Sequence, residues 1–191
     1  DELKSEVIDL PGTYSLSPRS EDEKVTFDYL NDSGRTDLPE LIVVVADASN
    51  LKRNLLLATQ LIDSEQPTIL VLNMMDVVQR NKQEINVELL EKELGIPVIP
   101  MNARLSKGVD QLKEKIATYN YKKATKFIED HESKDALDNT IVRFDKIKEI
   151  IAKTLVSQGQ SPISKLTRKI DSVLTHSVWG FVIFLIILFL I

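Results

Sequence analysis

The stretch that decides the fold is Thr68-Ile69-Leu70-Val71-Leu72-Asn73-Met74-Met75-Asp76. Its first five residues form a largely apolar run without alternation, which is typical of a strand buried on both faces. Similar runs occur at residues 41–46 and 96–100, and stretches with helical spacing separate the three. This alternation predicts a parallel sheet with helices on both faces. We also interpret Val7 and Ile8 as the end of a further strand.

Two polar residues follow the middle run, where parallel sheets bind ligands at the carboxyl ends of their strands. The carboxylate of Asp76 can accept hydrogen bonds from the N1–H and the 2-amino group of guanine, whereas adenine presents no matching pair of donors. Asn73 can hydrogen-bond a ring nitrogen and brace neighbouring loops, and Met74 can lie against the base. Read alone, Asn and Asp after a strand also fit ordinary helix capping.

Complementary groups follow Val7-Ile8 and the run at residues 96–100. After Val7-Ile8, Asp9 can reach a magnesium ion through water, and Gly12 lets the backbone approach a terminal phosphate and donate its N–H. The same two residues also fit a simple turn. After the third run, a backbone N–H at Asn102, Ala103 or Arg104 can meet the carbonyl oxygen of guanine. Together, the three strand ends predict a binding site for GTP or GDP with Mg²⁺.

The composition excludes several kinds of function. Of the 191 residues, 43% are apolar, which is enough for one substantial core with a smaller module beside it. The net charge of -5 gives no basic excess, so we expect no nucleic-acid partner. The absence of cysteine excludes disulfides and thiolate metal sites, in agreement with a reducing compartment.

The C-terminal residues predict the start of a membrane segment. Residues 178–191 are apolar except for Gly180, and Trp179 stands at the boundary. Spanning a bilayer takes about 20 apolar residues, so this run alone is too short. The basic residues upstream predict that residues 1–177 are cytoplasmic. The alternative is a buried C-terminal helix of a soluble domain. The opening on acidic residues without Met is typical of a segment of a larger protein.

Four segments carry a resemblance to a known family. They are Asp9-Leu10-Pro11-Gly12-Thr13-Tyr14-Ser15-Leu16, Val43-Val44-Val45-Ala46-Asp47-Ala48-Ser49-Asn50-Leu51, Leu72-Asn73-Met74-Met75-Asp76, and Lys169-Ile170-Asp171-Ser172-Val173-Leu174-Thr175-His176 followed by Trp179-Gly180. They resemble the ferrous iron transport protein B family, bacterial membrane proteins with an N-terminal G domain. The resemblance implies GTP binding, slow hydrolysis, a place in the bacterial inner membrane, and Fe(II) import through a membrane domain beyond Ile191.

The chain departs from this family in two respects. The phosphate-binding pattern GxxxxGK[ST] and the first switch are absent from these 191 residues. The family usually places a regulatory helical subdomain between the G domain and the membrane, and this chain has little room for it between Ile116 and Ile141. Thr13 stands where many small GTPases have a water-orienting Gln, which predicts slow hydrolysis.

The resulting prediction is a P-loop-GTPase-like α/β fold that lacks its N-terminal part. We assign residues 1–119 to a truncated G domain, 120–170 to a reduced helical segment and 171–191 to the start of the first transmembrane helix. Within the helical segment, one stripe predicts a buried helix face: Ile141, Phe144, Ile147, Ile151 and Leu155.

The leading functional hypothesis is the GTP-binding or GTPase domain of a ferrous iron transporter. Two alternatives remain open: a regulatory GTPase unrelated to iron, soluble or membrane-attached, and a nucleotide-free membrane adaptor. Association of several copies is also left open. The transported ion comes wholly from the resemblance, since the sequence contains no convincing cluster of metal ligands.

Overall fold

The fold is organised around the middle apolar run, which becomes the central strand of a parallel sheet. The computed structural model describes residues 5–18, 20–31, 39–119, 126–128, 136–157, 172–176 and 179–190. The helices and strands, in chain order, are α1 (Glu21–Asn31), β1 (Ile42–Asp47), α2 (Leu51–Asp63), β2 (Thr68–Asn73), α3 (Met75–Arg80), β3 (Gln83–Ile85), α4 (Val87–Leu94), β4 (Val98–Pro100), α5 (Val109–Ala117), α6 (Ala136–Thr154), β5 (Leu155–Ser157) and α7 (Trp179–Leu190).

The main sheet has the strand order β1-β2-β4, and both pairings are parallel. β1 and β2 pair over their whole length, from Ile42 opposite Thr68 to Asp47 opposite Asn73. β2 has a partner on each side, and its residues 68–72 are all buried. A strand covered on both faces has to be apolar at successive positions, which explains the lack of alternation in this run. The predicted parallel sheet is confirmed.

Helices cover the two faces of this sheet. On one face, the fully buried Leu55 of α2 belongs to the same cluster as Leu72 of β2. On the other face, Leu112 and Ile116 of α5 pack with Val71 of β2. A fully buried side chain such as Leu55 contributes about 1.5–3 kcal/mol to folding, and the partly buried Leu112 and Ile116 contribute less. The expectation of helices on both faces is therefore confirmed.

The edge formed by β1 is less well covered than the centre of the sheet. Val45 is 63% exposed, whereas Val71, its partner on β2, is fully buried. Val7 and Ile8 are 86% and 51% exposed and lie in a segment without regular structure. The interpretation of these two residues as a strand end is therefore wrong. A strand needs a neighbour to receive its backbone hydrogen bonds, and no described strand lies beyond β1.

Helix α6 buries most of the predicted stripe, but not its first residue. Ile147 is fully buried, and the partly buried Ile151 and Leu155 pack against the main core, as expected. Ile141 is 54% exposed, and the buried positions of the helix also include Arg143, Ile150 and Thr154. The stripe misplaced the start of the buried face because an arginine, which binds a carboxylate on α2, occupies that face.

A second, two-stranded sheet joins two distant parts of the chain. β3 pairs antiparallel with β5, and the N–H of Asn86 donates to the carbonyl of Thr154 at 2.8 Å. The residues that follow α6 therefore lie beside those that follow α3. The sequence did not predict this pairing.

The C-terminal helix α7 is an apolar helix of 12 residues. Within the described part of the chain, no helix is both long and apolar enough to cross a membrane. Much of the predicted helical segment 120–170 lies outside the described residues, as do residues 171, 177, 178 and 191.

Candidate functional site

Two loops meet at the carboxyl edge of the main sheet, and we call residues 73–76 and 101–107 the rim loops. The first begins where β2 ends at Asn73. Met74 then adopts a left-handed conformation with φ of 63°, and α3 starts at Met75. Non-glycine residues in this region are uncommon and cluster at functional sites. The turn places Asp76 in the first turn of α3, where the helix dipole favours a negative charge.

The rim loops are bonded directly to each other. The N–H of Ala103 donates to Oδ1 of Asn73 at 3.0 Å, and the N–H of Met75 donates to the carbonyl of Met101 at 3.3 Å. Asn73 therefore braces a neighbouring loop, as predicted. A consequence is that the Ala103 N–H is already bonded to a protein acceptor.

The second rim loop is closed by its own hydrogen bonds. Asn102 is 8% exposed, its side chain accepts from the N–H of Leu105, and its backbone bonds to Lys107 in both directions. Among the described residues, no acceptor is found for the backbone N–H of Arg104. Arg104 is exposed at the rim, so its N–H can serve an incoming ligand.

Gly108 fixes the end of the second rim loop. Its φ is +85°, and a Cβ atom there would lie 2.4 Å from the carbonyl oxygen of Pro100. Both the backbone conformation and the close contact require glycine. Gly108 thereby brings the start of α5 against the end of β4.

Asp76 carries a contact that the sequence analysis missed. Nη2 of Arg80 donates to its carboxylate at 2.8 Å, and the two side chains are 69% and 40% exposed, for Arg80 and Asp76 respectively. The spacing of Asp76 and Arg80 in the sequence indicates this contact, because residues four apart on a helix are neighbours and an acidic–basic pair at this spacing is favourable. Met74 is 43% exposed and lies outside the core.

The third predicted element is the loop of residues 11–16, here called the Gly12 loop. Asp9, just before it, is exposed. A Cβ atom at Gly12 would meet nothing within 4 Å, so the space in front of this backbone is open. Among the described residues, no hydrogen bond or ion pair joins this loop to the rim loops. Asp9 and Gly12 thus belong to a separate part of the candidate site.

Helices α1 and α2 hold the Gly12 loop. Oγ1 of the buried Thr26 donates to the carbonyl of Pro11 at 2.7 Å. Oε1 of Gln60 accepts from the N–H of Leu16 at 2.8 Å. The guanidinium of Arg53 lies over the ring of Tyr14, 3.6 Å from its centroid. None of these helix residues is indicated by a local sequence motif.

Within the Gly12 loop, Thr13 is engaged in a local turn. Its hydroxyl donates to the carbonyl of Ser15 at 2.7 Å and accepts from the N–H of the same residue at 3.3 Å. Such a turn is a common way for threonine to stabilise an irregular backbone.

The far end of α2 is fixed by an ion pair between a buried arginine and a partly buried carboxylate. Nη2 of Arg143 on α6 donates to Asp63 at 2.6 Å, and the side chains of Arg143 and Asp63 are 6% and 18% exposed. The second carboxylate oxygen of Asp63 accepts from the N–H groups of Phe127 and Ile128. In the part of the chain that the structure describes, no group of three or more acidic, histidine or cysteine side chains is placed to hold a metal ion.

Comparisons with known proteins identify a family. The family model described as ferrous iron transport protein B matches residues 1–116. The Fe(2+) transporter FeoB of Helicobacter pylori strain 26695 is 36% identical over 189 residues, and the match covers 97% of this chain. The chain spans 29% of the length of that relative.

Solved structures of similar proteins support the same fold. The cytosolic domain of the T. maritima FeoB iron transporter in its GMPPNP form matches with a TM-score of 0.67 at 23% identity, covering 78% of this chain and 79% of that one. The mGMPPNP-bound NFeoB from S. thermophilus matches with a TM-score of 0.57 at 32% identity, covering 91% of this chain and 72% of that one. These matches agree with the predicted parallel sheet and its helices.

Proposed function

Because the chain belongs to the ferrous iron transport protein B family, we propose that it binds guanine nucleotides and regulates Fe(II) uptake by a bacterial membrane transporter. The observation that carries this proposal is the rim of the parallel sheet, where Asn73 ends β2, Asp76 follows in the first turn of α3, and Asn73 is bonded to Ala103. The 32% identical relative from S. thermophilus, solved with mGMPPNP, supports a guanine nucleotide as the ligand.

The base would be recognised by the rim loops. A carboxylate has about four acceptor positions, and Arg80 occupies one of those of Asp76. The remaining positions can accept from the N1–H and 2-amino group of guanine. Oδ1 of Asn73 already accepts from Ala103, so its amide NH₂ is left to donate to a ring nitrogen. Met74 can cover one face of the ring.

The carbonyl oxygen of guanine needs a donor from the second rim loop. Sequence reasoning assigned this contact to the neighbourhood of Ala103, whose N–H is bonded to Asn73. We assign the contact to the backbone N–H of Arg104, which lies one residue further along the loop. Asn102 closes the loop and holds this N–H in position.

The phosphates would be sensed by the Gly12 loop. The open space at Gly12 allows its N–H to reach a terminal phosphate. Mg²⁺ in such sites is held by phosphate oxygens, waters and one or two carboxylates, and the exposed Asp9 fits the role of a carboxylate that binds through water. Bound Mg²⁺ would neutralise part of the phosphate charge.

The proposal extends to hydrolysis and to the place of the chain in the cell. The hydroxyl of Thr13 is engaged with Ser15, so a water-orienting side chain at this position is lacking and GTP hydrolysis by the complete gene product should be slow. Residues 1–119 would form the G domain, 120–170 a helical connection, and 171–191 the entry into the bacterial inner membrane, with residues 1–177 cytoplasmic.

An exchange of base specificity tests the proposal. Xanthine carries a second carbonyl oxygen in place of the 2-amino group of guanine, so an amide at position 76 should bind it. In the complete gene product, Asp76→Asn should weaken GTP binding by about 10- to 100-fold and strengthen XTP binding by a similar factor, because a bidentate pair contributes about 1–3 kcal/mol of discrimination.

The control for this exchange is Asp145→Asn. Asp145 is an exposed carboxylate on α6, paired with Lys148, and lies outside the rim loops. Its substitution should leave both affinities unchanged in isothermal titration. A protein that binds ATP as tightly as GTP, or whose nucleotide preference survives Asp76→Asn, would refute the proposed function.

A further inference from the structure

The Gly12 loop depends on α2 for its conformation. At the C-terminal end of the loop, the N–H of Leu16 donates to the side chain of Gln60, which lies 44 positions further along the chain. The ring of Tyr14 lies under the guanidinium of Arg53. These contacts leave Gly12 itself open to solvent.

Gln60 and Arg53 act at different points of the loop. The Gln60 bond fixes the backbone at the C-terminal end of the loop, where the Leu16 side chain also packs against the main core. The Arg53 contact fixes the exposed side chain of Tyr14, two residues after Gly12. At the other end, Thr26 holds the carbonyl of Pro11. The loop is therefore fixed on either side of the glycine that faces the open space.

We propose that Gln60 and Arg53 are positioning residues that hold the Gly12 loop in the conformation that receives a third phosphate. This inference rests on the proposed function. It assigns the preference for GTP over GDP to two residues of α2 that lie outside the rim loops and the Gly12 loop. Neither residue touches the nucleotide. Their effect is to raise the fraction of molecules whose loop is already in the binding conformation, and the apparent affinity for GTP scales with that fraction.

The expected signature is a selective loss of affinity. GDP lacks the third phosphate and gains nothing from the Gly12 loop. Gln60→Ala should therefore weaken binding of GMPPNP by about 3- to 10-fold, the value of one hydrogen bond, and change GDP binding by less than about twofold. Arg53→Ala should weaken GMPPNP binding by about 2- to 5-fold, as expected for an exposed cation–π contact. Base preference should stay unchanged in both variants.

Conservative variants separate positioning from loss of folding. Gln60→Glu keeps an acceptor oxygen for the Leu16 N–H and should restore most of the GMPPNP affinity. Tyr14→Phe keeps the ring under Arg53 and should bind like the parent. Tyr14→Ala combined with Arg53→Ala should cost no more than either change alone, since the two residues contribute through one contact.

The experiment titrates the complete gene product with fluorescent N-methylanthraniloyl GMPPNP and GDP. Lys52→Ala is the matched control, because Lys52 is the exposed cation just before Arg53 on α2 and its removal changes the net charge equally. A fall in the GMPPNP-to-GDP affinity ratio for Gln60→Ala and Arg53→Ala, but not for Lys52→Ala, supports the inference.

Two other results would each have a distinct meaning. If the parent prefers GTP to ATP but the affinity ratio is the same in Gln60→Ala and Arg53→Ala as in the parent, the positioning role is refuted and the proposed function stands. If the parent binds no guanine nucleotide, the proposed function fails and this inference fails with it.

Discussion

The rim loops and the Gly12 loop lie in the same small protein but are held by different kinds of contact. Main-chain groups dominate in the rim loops, where the N–H of Met75 and the N–H of Ala103 reach directly across from one loop to the other. The Gly12 loop is held by helix side chains, those of Thr26, Arg53 and Gln60 among the described residues. The rim loops are thus a fixed part of the sheet, whereas the Gly12 loop can be released by changes in distant side chains.

This difference suits two separate tasks. Recognition of a base requires the same geometry in every nucleotide state, so a rigid rim is adequate. A response to the third phosphate requires a segment with more than one conformation, and such segments come from the less stable parts of a fold. Substitutions at the two regions, and at the helix that supports one of them, should therefore affect different quantities, and three sets of substitutions test the comparison.

The largest effect should come from Asp63, which fixes the helix that supports the Gly12 loop. Asp63→Ala leaves the guanidinium of Arg143 buried without its carboxylate and removes the acceptor of two backbone N–H groups. Breaking a buried pair in this way costs about 3–5 kcal/mol. We expect urea unfolding of the chain to show this loss of stability. We also expect the variant to raise the hydrogen-exchange rate, relative to the parent, more at residues 12–16 than at residues 101–107.

The matched control for this variant is Lys148→Ala on α6. Its partner is Asp145, and the side chains of Lys148 and Asp145 are 56% and 60% exposed. An exposed pair three residues apart on a helix contributes about 0.2–0.5 kcal/mol. If Asp63→Ala proved as mild as the control, or if exchange rose equally in both loops, α2 would not be the support of the Gly12 loop.

The second effect compares two glycines, one in each region. Gly108→Ala forces a Cβ atom to within 2.4 Å of the Pro100 carbonyl at a φ of +85°, whereas a Cβ at Gly12 meets nothing within 4 Å. A left-handed residue costs about 1–2 kcal/mol and the clash adds to it, so we expect Gly108→Ala to lose about 2–4 kcal/mol of stability.

Gly12→Ala should behave in the opposite manner. Its stability should change by less than about 0.5 kcal/mol, as for other surface substitutions. Its affinity for GTP should fall because the methyl group occupies the open space that we propose for the third phosphate. Thermal unfolding and nucleotide titration on the same two variants separate these outcomes. A Gly108→Ala protein as stable as the parent would show that the rim is not rigid.

Sequence reasoning located the rim more accurately than the supports of the Gly12 loop, and the reason is physical. A strand buried on both faces leaves a local apolar signature, so the strand and the turn after it could be predicted directly from residues 68–76. Gln60 and Leu16 are 44 positions apart, and Asp63 and Arg143 are 80 apart. No local pattern encodes such pairs.

Helix α6 shows the same limit in another form. The apolar stripe predicted that Ile141 is buried. This side chain is instead 54% exposed, because the buried face of the helix includes Arg143. A periodicity of apolar residues cannot identify a face on which an arginine is buried with its counter-ion. Val7 and Ile8 were misjudged for a related reason, since apolar residues form a strand only where another strand accepts their backbone bonds.

The smallest effect should come from Arg80, and it tests how rigid the rim is. Arg80→Ala removes the contact to Asp76 without changing the backbone bonds between the rim loops. An exposed pair four residues apart contributes about 0.3–0.5 kcal/mol, so guanine nucleotide affinity should fall by no more than about twofold, equally for GTP and GDP. If Asp76 instead depends on Arg80 for its orientation, the loss will exceed tenfold, and Arg80→Lys will restore part of it. Titration of both nucleotides decides between these cases: a large loss confined to GTP would mean that the carboxylate proposed to bind the base also responds to the phosphate, which contradicts separate roles for the two regions.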